Sequence, residues 1–303
     1  MILSASRRTD LPCCYPDWMM NRIRAGYALT RNPMNPSQLS RVSLSPDIVD
    51  CIVFWTKDAR NMMPYLWELE QRGYRYYFQF TLTPYGRDLE PGLREKAEIA
   101  RTFMELSCLL GRERVIWRYD PIVLNDRYTV TFHQAQFRSL CRQLAPYTDT
   151  VTISFVDVYK KLRHAGIRPA SLQETQDLAG YIGLASQQEG ITAVACCEAA
   201  DLRPYGIRHA SCIDRERIER LCGQPLHILR DKNQRAGCGC CESVDIGAYD
   251  TCLNGCVYCY ANHGREAVMR RFAKHDPETA ILTGCANEED ARERKGRSNL
   301  VDV

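Results

Sequence analysis

An α/β chain forming a parallel (β/α) barrel or partial barrel, TIM-barrel-like, is expected from three features of these 303 residues. Short, apolar, β-prone runs alternate with amphipathic helical stretches along most of the chain. Six or seven such units follow one another, with connections long enough for right-handed crossovers between parallel strands. Charged and polar residues stand where the apolar runs finish. An open doubly wound sheet is the alternative arrangement of the same units.

Met1 to Ala5 reads as a buried strand that stops in the polar cluster Ser6, Arg7, Arg8, Thr9, Asp10. Trp18, Met19, Ile23 and Tyr27 recur at helical spacing until Asn32-Pro33 and Asn35-Pro36 break the pattern. The run Ile48 to Lys57 is a second strand, with Cys51 to Trp55 continuously apolar. Met62, Met63, Leu66 and Leu69 give an amphipathic helix capped by Gly73, and Tyr76 to Leu82 another strand. Helix 92–110, strand Arg114 to Asp120, helix 131–145 and strand Val151 to Asp157 continue the alternation. Ser171 with Glu174 three residues on has the form of a capping box for a helix to about Gln188, before strand Ile191 to Cys197. Ser243 to Tyr249 is a last candidate strand, and Glu266 to Lys274 a helix after it.

In a parallel barrel the strand C-termini converge on one rim, where such folds place their chemistry. Arg7, Asp10, Lys57, Arg118, Asp120 and Asp157 fall at those ends and are the candidate catalytic residues. Each alone reads more simply as a solvated loop charge; the recurrence across strands is what points to a site.

The chain holds 16 cysteines, and six of them, Cys238, Cys240, Cys241, Cys252, Cys256 and Cys259, crowd into one short region. No secretory h-region or membrane-spanning run is evident, so a cytoplasmic location is expected and metal binding outweighs a disulfide scaffold. Cys252, Cys256 and Cys259 lie on one loop, where Gly255 supplies conformational freedom and Tyr258 an aromatic ring beside the metal. Three thiols leave one iron of a 4Fe-4S cluster without a protein ligand, whereas structural zinc normally takes four protein ligands. Cys197, Cys212, Cys238 and Cys240 could complete four ligands for a second cluster, with zinc as the competing occupant. The remaining thiols, Cys196 and Cys14 among them, read as small apolar or free side chains.

The spacing of Cys252, Cys256, Tyr258 and Cys259 resembles the signature of the radical S-adenosylmethionine enzymes. The resemblance implies that S-adenosylmethionine chelates the open iron and that an electron donor such as flavodoxin or ferredoxin supplies the reducing electron. In those enzymes the thiol triad usually follows the first barrel strand. Here it follows the last, so a circularly permuted radical-type barrel is expected, its first and last strands being neighbours.

The whole chain to Asn262 also resembles the family named domain of unknown function 1848. Ser6 to Asp10, Phe54 to Lys57, Tyr76 to Thr81, Val115 to Pro121, Ser154 to Asp157, Asp231 to Arg235 and Asp245 to Tyr249 carry this likeness. Leu11, Pro12, Cys13 and Cys14 depart from that family's usual Ile-Pro-Ala-aromatic, which weakens a ligand role for the two thiols.

The organisation expected is a barrel core at 1–200, a cysteine-rich iron-sulfur segment completing it at 201–275, and a polar, mobile tail at 276–303. The charged stretch 203–235 reads mostly as a solvated helix and its flanks. A formal charge of +3 gives little support to nucleic acid as substrate, although the Ser6 to Asp10 loop is similar to strand-end loops of the photoproduct lyases. A metal or redox-sensing protein without catalysis, and a metal-dependent hydrolase, are the rival functions. The six histidines are dispersed, which counts against the hydrolase.

Overall fold

The computed structural model of the chain describes residues 1–159, 162, 165–235, 237–294 and 296–301. Its elements, in chain order, are β1 (Ile2–Ala5), α1 (Leu11–Cys14), α2 (Pro16–Ala25), β2 (Tyr27–Asn32), β3 (Asn35–Ser43), β4 (Cys51–Thr56), α3 (Leu66–Gln71), β5 (Tyr76–Thr81), α4 (Lys96–Leu110) and β6 (Val115–Ile122). There follow α5 (Val130–Leu144), β7 (Thr150–Phe155), α6 (Leu172–Gln188), β8 (Thr192–Ala195), β9 (Arg208–His209), α7 (Arg215–Cys222), β10 (Val244–Asp245), α8 (Arg265–Phe272) and β11 (Arg292–Arg294).

Eight strands form one sheet in the order β10-β1-β4-β5-β6-β7-β8-β9, every neighbouring pair parallel. Chain order and spatial order agree except that β10 returns beside β1, so the fold is α/β and barrel-like. The seam lies between β9 and β10, which are not paired among the described residues. A parallel sheet needs cover on both faces. Helices α2 to α6 bury their apolar sides on one face with Leu3, Phe54, Phe78, Trp117 and Ile153 of the strands. On the other face Ile2, Val53, Tyr77 and Ile116 pack against Cys212, Ile213, Ile218, Leu226 and Cys240. The segment from about 210 to 241 therefore fills the concave side.

Local chemistry explains most boundaries. Ser171 Oγ accepts from the Glu174 N–H at 3.2 Å while the Glu174 carboxylate accepts from the Ser171 N–H at 2.9 Å, the reciprocal cap expected for α6. Gly26 ends α2 at φ 78, a conformation without cost for glycine. Helix α4 starts at Lys96 and not at 92, because Pro91 and Gly92 sit in a turn and Glu95 is still extended. Tyr27, read as the end of a helical stripe, instead opens β2, and β2 and β3 form an antiparallel hairpin across the Asn-Pro breaks. Residues of the expected mobile tail pack on the body of the fold: β11 pairs with β3, and the Ser298 hydroxyl and the Asn299 N–H and side-chain amide donate to Asp50. In the stretch 203–235 the arginines are exposed, as its charge suggests, with one exception. Arg217 is buried, donating to Asp149 at 3.0 Å and to Thr150 Oγ1 at 2.9 Å. Among the described residues no helix is long and apolar enough to cross a membrane.

His133, wholly buried on α5, gives a clean pH prediction. Its Nε2 contacts the Val123 carbonyl at 2.9 Å and must donate, so Nδ1 accepts from the Tyr119 hydroxyl at 2.8 Å. Burial lowers its pKa from 6.5 to about 4, keeping it neutral. The unfolded chain therefore binds the extra proton first. The stability present above pH 6.5 is lost as pH falls toward 4, by about 3 kcal/mol for the full shift. Urea unfolding at pH 7 and pH 4.5 should show this slope, and His133→Gln should flatten it; an unchanged slope in the variant would assign it to other groups.

Candidate functional site

The loop carrying Cys252, Cys256 and Cys259 leaves β10 at the C-terminal end of the sheet, level with the ends of β1 and β4. Gly255 takes φ 66 within it, and a turn closes Cys259 N–H onto the Cys256 carbonyl at 3.1 Å. Asn262 Nδ2 donates to the Cys252 carbonyl at 2.9 Å, and the Ala261 N–H reaches Cys259 Sγ at 3.4 Å. The Val257 N–H binds the Leu89 carbonyl, and the Gly92 N–H binds the Asn254 carbonyl, so the loop is stitched to the segment after β5. Gly92 has no room for a side chain: a Cβ there would stand 2.7 Å from the Asn254 carbonyl oxygen and 2.8 Å from that of Leu253.

Asp10 is a hub. One carboxylate oxygen caps α1 through the Cys13 N–H at 3.0 Å; the other accepts from the Lys57 N–H at 2.8 Å and from Asn254 Nδ2 at 2.9 Å. Burial pushes its carboxyl up to about 6 against these donors. Every strong acceptor position is spent on tying β1, β4 and the thiol loop together, so its place is that of a positioning residue.

Lys57 stands 5.4 Å over the Tyr258 ring and pairs with Glu90 at 2.8 Å. Glu90 has no exposed side-chain surface and also binds Lys96, the Tyr258 hydroxyl and, at 2.7 Å, Thr83 Oγ1. Burial pushes the Glu90 carboxyl up, but Lys57 and Lys96 outweigh it and hold it at about 2. Burial raises the Cys256 thiol, and the charge on Lys57 opposes this. Lys57 is thus a mostly buried cation held by Glu90 over the Tyr258 ring, near enough to Cys256 for its charge to be felt there. Cys256 also senses both Cys252 and Cys259, so the three thiols share one electrostatic environment.

The other candidates divide. Arg7 lies after β1 with its guanidinium 5.5 Å over the Trp55 ring, and its Nη2 is buried without a hydrogen-bond partner among the described residues, as is Trp55 Nε1. Arg118 is turned away from the triad: Nη1 donates to Cys212 Sγ at 3.0 Å and to Gln79 Oε1 at 3.1 Å, and Nη2 binds Asp120. Asp120 also accepts from Ser154. Asp157 forms a solvent-exposed pair with Arg235 at 2.5 Å.

The four thiols expected together, Cys197, Cys212, Cys238 and Cys240, do meet, and Cys196 joins them with its Sγ 3.1 Å from that of Cys212. Residues the sequence reading passed over are Cys196, Glu90, Lys96, Asn254 and Cys14. Cys14 donates to Cys252 and is the largest cause of that thiol's lowered pKa. Strand parity was the available signal for Cys196, since Thr152 and Val194 are in register and position 196 shares the face of 194. Glu90 lies well past the end of β5 and had none. Among the described residues, no group of three or more His, Cys, Asp or Glu side chains is set to hold a single metal ion. A four-iron cube spreads its thiolates wider than one ion does, and the all-sulfur donor set of the loop fits such a cube.

A family model described as Domain of unknown function (DUF1848) matches residues 2–261. No curated protein and no solved structure matches the chain.

Proposed function

Since the chain belongs to the family described as Domain of unknown function (DUF1848), we propose a function read from the site: an oxygen-sensitive, radical S-adenosylmethionine-type enzyme. Cys252, Cys256 and Cys259 would hold a 4Fe-4S cluster with one iron left to the nucleotide. The observation that carries this reading is the placement of all three thiols on one loop at the C-terminal end of a parallel sheet, near a mostly buried lysine. When bound and reduced by one electron, the nucleotide supplies a carbon radical that removes hydrogen from substrate.

The chain's own residues do the rest. Lys57, held by Glu90, places positive charge near Cys256 and offsets part of the rise that burial imposes on its thiol. Tyr258 and Tyr85 form an edge-on aromatic wall, ring centroids 5.8 Å apart, that keeps water from that side. Asp10 and Asn254 fix the loop. Flavodoxin or ferredoxin would be the electron source, and a cytoplasmic setting would keep the thiols reduced.

A second reading rests on Cys14. Its thiol touches Cys252, and as a fourth ligand it would close the cluster and make the protein an electron carrier or redox sensor. Anaerobic purification, reduction and incubation with S-adenosylmethionine separate the two. The enzyme reading expects about four irons on the triad and 5′-deoxyadenosine, lost in Cys256→Ala and kept in Cys14→Ala. No nucleotide cleavage in the wild type, with iron lost on Cys14→Ala, would replace it by the closed-cluster reading.

A further inference from the structure

Five thiols meet on the concave face, away from the triad loop. Cys196 and Cys197 lie just past β8, Cys212 follows β9, and Cys238 and Cys240 flank Gly239. Cys196 touches Cys212, Cys212 touches Cys240, Cys240 touches Cys238, and Cys197 touches both Cys238 and Cys196. The ring is closed, although its members come from three separate stretches.

The surroundings are built for sulfur carrying negative charge. Arg118, buried, donates to Cys212 Sγ at 3.0 Å, and the Ile213 N–H donates to Cys240 Sγ at 3.3 Å. Hydrogen bonds of this kind to thiolates tune metal clusters. A guanidinium facing neutral thiols would gain little from them. The Cys212 carbonyl is pinned by the Tyr77 hydroxyl at 2.7 Å and by Gln79 Nε2 at 2.8 Å, so this thiol is held by the sheet itself. A Cβ at 239, between Cys238 and Cys240, would stand 2.5 Å from Ser211 Oγ, so that hydroxyl would have to turn aside.

We propose that Cys196, Cys212, Cys238 and Cys240 ligate a second iron-sulfur cluster in the concave face of the sheet. Cys196 replaces Cys197 in the ligand set because it shares the inward parity of β8, the side on which Cys212, Cys238 and Cys240 pack. Cys197 is instead the thiol nearest in charge to Arg235, toward solvent. Its φ of 55, rare for a side chain of this kind, turns it off the strand. Zinc needs four sulfurs about one centre at about 2.3 Å. The row 196, 212, 240, 238 is not gathered about one point in that way, and no described group of three or more ligands is. A cube of several irons holds its four thiolates farther apart than Cys196 and Cys212 stand here, so loading would open that contact. With four cysteine ligands it has no open iron and binds no nucleotide, so it is independent of the triad's chemistry.

The test removes the triad. Cys252→Ala/Cys256→Ala/Cys259→Ala, purified anaerobically, should retain about four irons and four sulfides per chain. Adding Cys212→Ser or Cys196→Ser should remove them, and adding Cys197→Ser should not. No iron, zinc without sulfide, or a cluster lost with Cys197 and kept without Cys196 would overturn the assignment. Should the triple variant fail to fold, Cys196→Ser/Cys212→Ser in the otherwise native chain should lose about four of the wild-type irons, while unchanged iron would refute it. Loss of nucleotide cleavage in the triad variant bears only on the first cluster.

Discussion

Glu90→Gln should cost about 3–5 kcal/mol of stability, because it removes the one anion that compensates two lysines packed around it. Lys57 has little exposed surface, and the Lys96 side chain is 29% exposed. The amide cannot neutralise either, and its NH₂ group would face an ammonium. Lys96 can swing toward water, so the cost should fall on Lys57. A double-mutant cycle checks this: Glu90→Gln/Lys57→Met should recover more than half of the loss seen in Glu90→Gln. Equal losses in single and double variants would show that the pair is not coupled. The sign with pH follows from the carboxyl held at about 2. Its contribution is present above the ordinary 4.5 and is lost as pH falls through about 2, so the variant and wild type should converge in strong acid.

Gly92→Ala should separate the thiol loop from its support without unfolding the sheet. The new methyl meets two backbone carbonyls of the loop, which cannot rotate aside as a flexible side chain could. Overpacking of this kind costs about 1–3 kcal/mol. The strain falls on Leu253 and Asn254, between Cys252 and Cys256. Asn254 would lose its reach to Asp10, and with it the tie between the loop and α1. Far-UV circular dichroism should stay as in the wild type while iron bound at the triad falls several-fold. Full iron content in the variant would mean that the loop position does not matter for loading.

The parallel sheet was legible because its strands are buried on both faces and read as continuous apolar runs, as at Cys51 to Trp55 and Val115 to Tyr119. That the last strand neighbours the first was expected only through the resemblance to a permuted barrel, and β10 does pair with β1. The hairpin β2–β3 was hidden, since Asn-Pro pairs read as breaks while here they sit at its turn and edge. The rim residues were legible as a set but not in their roles. Position along a strand says which end a side chain occupies, and only packing says whether it turns to Glu90 and the Tyr258 ring, as Lys57 does, to other sulfurs, as Arg118 does, or to solvent, as Asp157 does. Glu90 was invisible for the same reason: nothing local marks a carboxylate that two distant lysines will enclose.

The seam of the eight-stranded sheet carries a further consequence. Its two outer strands, β9 and β10, are each two residues long, so the sheet ends without a long row of unpaired backbone groups. Long open margins invite edge-to-edge addition of another chain. Here the margin is too short to template it, and chains with damaged thiol loops should precipitate through exposed apolar surface, if at all, and not by growing a shared sheet.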